Sequence, residues 1–192
     1  MPDTNQAALD FLLTRRSRPA KTLCAPVPDR ATLDILLTAA ARTPDHGKLE
    51  PWRFIVLEKA ALTRLAALVP QRAAALDIAQ DKLDKAVAQY RDADLAVVVV
   101  ESPVASDKVP ALEQTYSAGA VCLSLLNAAL AAGWGANWLS GWASHDAEFC
   151  QSGLGLAAHE RVAGLIHIGT QTNAPPERPR PDLATKVTWV AQ

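Results

Sequence analysis

The sequence is short of several things, and each shortage excludes a class of protein. Only three cysteines occur in 192 residues, at Cys24, Cys122 and Cys150. They form no CxxC and are too few and scattered for a disulfide framework. Cys122 sits in an apolar helical run and reads as a small core residue. Charge of one sign is also missing: 19 Lys+Arg face 20 Asp+Glu, a net charge of −1. A large, sequence-independent nucleic-acid footprint needs a basic excess, so none is expected. Extended disorder is excluded too, because 49% of the residues are hydrophobic and 20% charged, close to globular averages. No basic segment leads into an apolar one at the start, so a cytoplasmic location is expected. The longest stretch without Asp, Glu, Lys, Arg or His, 114–144, is punctuated by Asn127, serines and Gly133-Trp134-Gly135. It reads as a buried helix followed by a strand rather than a bilayer span.

Much catalytic machinery is absent as well. There is no GxxxxGK[ST] phosphate loop, no GxGxxG and no GxSxG. Gly153-Leu154-Gly155 lacks the third glycine and follows a helix. His159-Glu160 does not continue into HExxH, and the four histidines show no metal-ligand spacing. No catalytic acid, base or nucleophile set and no metal site is expected.

What is present suits one domain over residues 1–192, long enough for a real core. Residues 4–16 read as a helix capped by Thr4, with Ala8, Leu9, Leu12 and Leu13 as its apolar stripe. Asp29 caps a second helix whose Leu33, Leu36, Leu37, Ala40 and Ala41 share one face. Residues 52–58 (WRFIVLE) read as a strand, and 60–69 and 71–91 as helices broken at Pro70. The run AVVVV within 94–101 suits a strand buried on both faces. Residues 111–132 form a long helix, apolar nearly all round, which must be covered by the core or by another subunit. Strands are expected at 136–140 and 161–169, with a short helix at 146–152 between them. His145 and Asp146 are its candidate caps. Residues 171–184 are rich in Pro and Arg, and 186–190 alternate, so 171–192 form an extended C-terminal arm or strand. Strict βαβ alternation fails, so the fold class is α+β, one sheet flanked by helices.

Two clusters carry the chemical signal. Arg15-Arg16-Ser17-Arg18 follows the first helix. Arginine binds phosphate through paired N–H groups and serine adds a hydroxyl; alternatively the cations complement the helix dipole. Residues 42–53 (RTPDHGKLEPWR) place two prolines, a glycine and several charges between a helix and a strand. Such a loop either carries function or merely connects, with Trp52 plugging the core. Trp134 and Trp142 read as core or interface plugs, His167 as a core histidine, and Tyr116 and Ser117 as packing or capping residues.

Taken in order, RRSxR, RTPDHGKLEPWRFIV and the Ala-rich helix leading into GANWLSGW resemble the nitroreductase family, in particular its compact FMN-dependent branch. The resemblance implies a mostly antiparallel central sheet flanked by helices and an intertwined homodimer with FMN in the subunit interface. It implies that Arg15, Arg16 and Ser17 hold the phosphate and ribityl end. Arg42 and His46 would reach the same cofactor from the partner subunit. Trp138, Leu139 and Ser140 would line the flavin, and 128–133 would meet the nicotinamide nucleotide. In larger relatives a basic residue near the C-terminus also meets the phosphate, and Arg178, Arg180 and Lys186 are the candidates for it in this sequence. The sequence departs from the pattern at Leu139, where some relatives carry Arg, and at Glu50, where many carry Gln or Arg. The implied reaction is ping-pong hydride transfer from NAD(P)H through flavin N5 to a nitroaromatic, quinone or similar acceptor. Other flavin chemistry on the same fold, such as dehydrogenation or flavin breakdown, and a phosphate- or nucleotide-binding protein without turnover stay open.

Overall fold

The computed structural model describes residues 3–191. Its helices are α1 (Gln6–Thr14), α2 (Arg30–Ala40), α3 (Lys59–Ala75), α4 (Gln80–Arg91), α5 (Ala111–Ala131) and α6 (Ala147–Leu154). Its strands are β1 (Leu23–Cys24), β2 (Trp52–Glu58), β3 (Leu95–Glu101), β4 (Gly135–Leu139) and β5 (Arg161–Gln171). Every strand pair is antiparallel. The order across the sheet is β2-β3-β5-β4, and β1 pairs with the end of β5 at Thr170 and Gln171. The α+β class and the antiparallel sheet expected from the sequence are found.

Strand β3 explains the layering. All seven of its residues are buried, and successive side chains of a strand point to opposite faces. Val97 and Val99 meet Leu33 and Leu36 of α2 and Val121, Leu125 and Leu126 of α5. Val98 and Val100 meet Leu62, Leu65 and Val69 of α3, Tyr90 of α4 and Phe149 of α6. One sheet thus carries a core on each face, which a run such as AVVVV requires.

Capping fixes several helix starts. Asp29 accepts the Thr32 N–H at 2.8 Å, and Asp146 accepts the Phe149 N–H at 3.0 Å, as the sequence suggests. At α1 the cap is Asn5, which accepts the Ala8 N–H at 3.2 Å, and not Thr4. Helix α5 ends at Gly133, whose φ of 86° is a left-handed stop that glycine adopts without a Cβ clash.

One expectation needs correction. Pro70 does not break α3; the helix runs through it to Ala75. The proline removes one N–H donor, yet Leu62, Leu65, Ala66, Val69 and Ala73 stay buried along one face on both sides of it. Tertiary packing outweighs the lost hydrogen bond. The break falls later, where Asp77 has a φ of 52°. Of the two alternatives for the C-terminal segment, no strand forms among the described residues after Gln171, and 183–185 form one short 3-10 turn. Trp189 is 91% exposed in this segment.

Several apolar faces lie open on the single chain. Helix α1 buries none of its residues, leaving Leu9, Leu12 and Leu13 exposed. Helix α5 buries Val121, Cys122 and Leu125 but exposes Leu112, Tyr116, Ala120 and Leu123 along another face. Gly119 has open space where a Cβ would stand. Contiguous apolar surface of this kind marks an interaction face.

Candidate functional site

The arginine cluster lies past the end of α1, not within its last turn. Arg15 is the C-cap, its N–H donating to the Phe11 carbonyl at 2.8 Å. The chain then runs extended beside β4. The Arg18 N–H donates to the Ala136 carbonyl at 2.8 Å, and the Asn137 side-chain amide donates to the Arg18 carbonyl at 2.5 Å. These bonds bring residues 15–18 next to the strand that carries Trp138 and Leu139.

The side chains of this cluster are poorly satisfied. Arg15 Nη2 donates to Ser17 Oγ at 3.1 Å. The Nε atoms of Arg15, Arg16 and Arg18 are buried and have no hydrogen-bond partner, a costly state for an N–H that water cannot reach. The Arg15 pKa is lowered from its ordinary value by burial first, then by the positive charges of Arg180 and Arg16. The C-terminal arm closes over the cluster, because Arg16 Nη2 donates to the Pro176 carbonyl at 3.2 Å. Of the three C-terminal basic candidates, Arg180 is the one whose charge acts on Arg15. Its paired carboxylate is Glu177, at 2.8 Å and half exposed or more. Cations held together at this density have the chemistry to take up an anion.

Beside the cluster, a cleft of about 320 Å³ opens between α4 and the sheet, with Leu139, Lys21, Lys85, Gln89 and His167 among its walls. Trp138 is 38% exposed, Leu139 is half-buried and Ser140 is exposed. Trp138 packs its indole over Gly164 of β5; a Cβ there would collide with the ring and with Cys122 Sγ. His167 is buried with Nε2 unpartnered, and burial pushes its pKa down to about 4. The ring is therefore neutral at physiological pH.

Arg42 and His46 belong to a second region. The loop ahead of β2 is held to α5 by a relay: Trp52 Nε1 donates to Ser117 Oγ at 3.1 Å, and that hydroxyl donates to the Pro44 carbonyl at 3.1 Å. Thr43 Oγ1 bonds Ser124 Oγ at 2.8 Å. Gly47, Lys48 and Glu50 have φ of 77°, 55° and 48°. Left-handed conformations cost about 1–2 kcal/mol at each non-glycine residue. Such strain concentrates where geometry is functional. The Glu50 N–H is held by Asp45 Oδ2 at 2.9 Å. His46 Nδ1 lies 2.7 Å from Glu113 Oε2. Arg42 is exposed, and its guanidinium makes no hydrogen bond among the described residues.

The two regions stand apart. Strand β4 carries the first, the loop ahead of β2 the second, and β5 and β3 lie between them. Three strand spacings of ~4.8 Å separate these edges by about 14 Å. Within a single chain no hydrogen bond joins Arg42 or His46 to Arg15, Arg16 or Ser17 among the described residues. Arg53, at the end of the loop motif, is taken by structure: its guanidinium donates to both Glu160 oxygens at 2.7 Å. That pairing holds the Glu160 pKa down to about 2. A parallel pair, Arg161 with the buried Glu101, sits at 2.7 and 2.8 Å.

Sequence reasoning missed Glu113, Lys21, Lys85 and Gln89. No spacing rule links them to the clusters, since α4 and α5 arrive from distant parts of the chain. Among the described residues no group of His, Cys, Asp and Glu could hold a metal ion, and no helix is long and apolar enough to cross a membrane.

A sequence model described as "Nitroreductase family" matches residues 13–170 of this chain, spanning both clusters and all of the sheet but its last residue. The chain belongs to the nitroreductase family. A protein of Haemophilus influenzae named "Putative NAD(P)H nitroreductase" is 38% identical over 165 residues, covering 85% of this chain and 88% of its own. Among solved structures, a nitroreductase-like family protein from Bacillus cereus superposes with a TM-score of 0.80 at 20% identity, covering 100% of both chains. A nitroreductase of Desulfovibrio desulfuricans, described as putative and solved in complex with FMN, gives a TM-score of 0.74 at 19% identity over 98% of each chain. At these identities the structures speak for the nitroreductase fold alone; membership rests on the family match and the Haemophilus relative.

Proposed function

We propose that this nitroreductase-family protein is an FMN-dependent NAD(P)H oxidoreductase working as a homodimer in the cytoplasm. Residues 1–192 make one FMN-binding domain, with 171–192 as its arm. The observation that carries this reading is the knot of Arg15, Arg16, Arg18 and Arg180, with three buried Nε atoms left without partners. A phosphate dianion supplies the acceptors that those N–H groups lack and offsets the mutual repulsion of the guanidinium groups. The flavin phosphate complex of the Desulfovibrio relative supports FMN as the dianion's source.

The remaining residues fit a flavin ring better than a bare anion. Trp138 and Leu139 lie on β4 beside the knot and Ser140 directly follows its end, so a ring anchored by its phosphate would have this segment within reach. Lys21 and Lys85 line the same cleft, offset in part by Asp92, and positive charge near a flavin favours electron uptake. Bound FMN would supply the two-electron chemistry that links hydride donation by NAD(P)H to reduction of a nitroaromatic, quinone or similar acceptor. The protein's own groups then bind, orient and keep water out. The neutral, buried His167 adds no competing charge.

A homodimer accounts for the open faces. The Leu112, Tyr116, Ala120 and Leu123 face of α5, the stripe of α1 and the arm each need covering. A second copy would cover them and would bring its Arg42 and His46 to the FMN held by Arg15 and Ser17.

The test is direct. The purified protein is expected to be yellow, to release FMN on denaturation, and to bleach with NAD(P)H and recover with a nitro compound or quinone. Initial rates at several fixed acceptor concentrations should give parallel double-reciprocal lines. Intersecting lines would point to a ternary complex and sink the single-site exchange. Phosphate binding without bleaching would favour a non-catalytic binding protein.

A further inference from the structure

We infer that Glu113 is a positioning residue for His46, holding its imidazole so that Nε2 accepts a hydrogen bond from a hydroxyl or N–H group of the FMN bound by the partner protomer. This rests on the homodimeric FMN reading above.

The chemistry of the pair sets the direction. An ionised carboxylate can only accept, so the 2.7 Å contact between Glu113 Oε2 and His46 Nδ1 requires the proton on Nδ1. In the neutral ring Nε2 is then a bare acceptor. Phosphate and carbonyl oxygens cannot donate to it. Ribityl hydroxyls and the flavin N3–H can. The phosphate is left to the guanidinium knot, and His46 reads the part of the cofactor that carries donors.

The surroundings suit such a task. His46 and Glu113 line a groove of about 370 Å³ beside Pro44, Tyr116 and Ser117, on the face of α5 that the single chain leaves open. Their side chains are 57% and 46% exposed, so the pair is not a core contact. An exposed pair of this kind contributes little to stability. The loop bearing His46 is nevertheless fixed from both sides, by the Trp52–Ser117–Pro44 relay and by Asp45 on the Glu50 N–H. Lys48 and Glu50 keep left-handed backbones to make that path. A rigid loop and a carboxylate together fix the ring at the wall of the groove.

The test combines FMN affinity with the imidazole tautomer. Kd for FMN is measured by flavin fluorescence quenching in the wild type, His46→Ala, Glu113→Ala, Glu113→Gln and the His46→Ala/Glu113→Ala double variant. Nitrogen-15 spectra of His46 are recorded at a pH where the ring is neutral. Glu113→Ala and His46→Ala should each raise Kd on the order of 3- to 30-fold, the loss of one hydrogen bond. The double variant should be no weaker than His46→Ala. Glu113→Gln, whose amide oxygen still accepts from Nδ1, should stay near wild type. The wild-type ring should be the Nδ1–H tautomer and should shift toward Nε2–H in Glu113→Ala. Additive losses, or an unchanged tautomer in Glu113→Ala, overturn the inference while the FMN reading stands. An unchanged Kd in His46→Ala overturns it by removing His46 from the cofactor site. If no variant and no wild-type protein binds FMN, the functional reading itself fails. Should Glu113→Ala not fold, Glu113→Asp shortens the carboxylate by one methylene and carries the same expectation of lost tautomer control.

Discussion

Replacing Arg15 with alanine should move cofactor affinity and apoprotein stability in opposite directions. In the free protein Arg15 gives one hydrogen bond, from Nη2 to Ser17, while its Nε is buried and unpartnered. Its charge is disfavoured by burial and by Arg180 and Arg16. Removing it therefore relieves repulsion, and the apoprotein should melt no lower than wild type. Any gain stays below about 1 kcal/mol because the group is partly solvated, which for a chain of this length is about 2–4 °C. With FMN the balance reverses. Loss of one hydrogen bond between charged partners costs about 1.5–3 kcal/mol, which raises Kd roughly 10- to 150-fold. Wild-type affinity should also fall more steeply with salt than that of the variant, since one guanidinium contact has gone. The assay is titration of apoprotein with FMN followed by fluorescence quenching, paired with thermal melts of both apoproteins. An unchanged Kd, or an apoprotein that loses several degrees, would refute the argument that these cations are held for an anion.

Four further outcomes follow from the geometry. Leu123→Arg on the open face of α5 should yield monomers by light scattering and lose FMN, whereas a dimer that keeps its flavin would move the interface elsewhere. Gly164→Ala should destabilise the fold by about 1–3 kcal/mol in denaturant titration and shift tryptophan emission, because the new methyl meets the Trp138 indole and Cys122. Glu160→Gln should cost about 2 kcal/mol at neutral pH. The Glu160 carboxyl is held down at about 2 by Arg53, so this stabilisation is complete above the unfolded carboxyl pKa and fades as pH falls toward 2. His167 works oppositely in charge but not in direction. Its folded pKa of about 4 lies below the unfolded value, so the unfolded chain binds the extra proton and stability drops as pH falls from about 6.5 to 4. His167→Phe should flatten that slope, and an unaltered slope would assign it to other groups.

Much of the fold was legible because its elements announce themselves locally. WRFIVLE and AVVVV carry β-branched and aromatic residues in runs of strand length, and β2 occupies the expected residues. Asp29 and Asp146 cap as their positions suggest. Misreadings arose where tertiary structure overrides local preference. Pro70 reads as a break, yet the buried face of α3 continues past it. Strand β1 has two residues and no period to detect. The arm alternates like a strand, but among the described residues it finds no strand to pair with.

The candidate site divides in the same way. The composition of RRSR is visible in the sequence, and its bare Nε atoms are visible only once β4 and the arm close around it. Three C-terminal cations are equal on paper, and only the fold singles out Arg180. The link from His46 to Glu113 spans 67 positions and depends on where α5 begins. The about 14 Å between the sheet edges is likewise a property of strand order, which no local motif encodes.

The most direct measurement is light scattering with flavin absorbance recorded across the same chromatographic peak. The account predicts a species of twice the 20.5 kDa chain mass, carrying FMN at one molecule per chain. A single-chain species that stays colourless after incubation with FMN would contradict it.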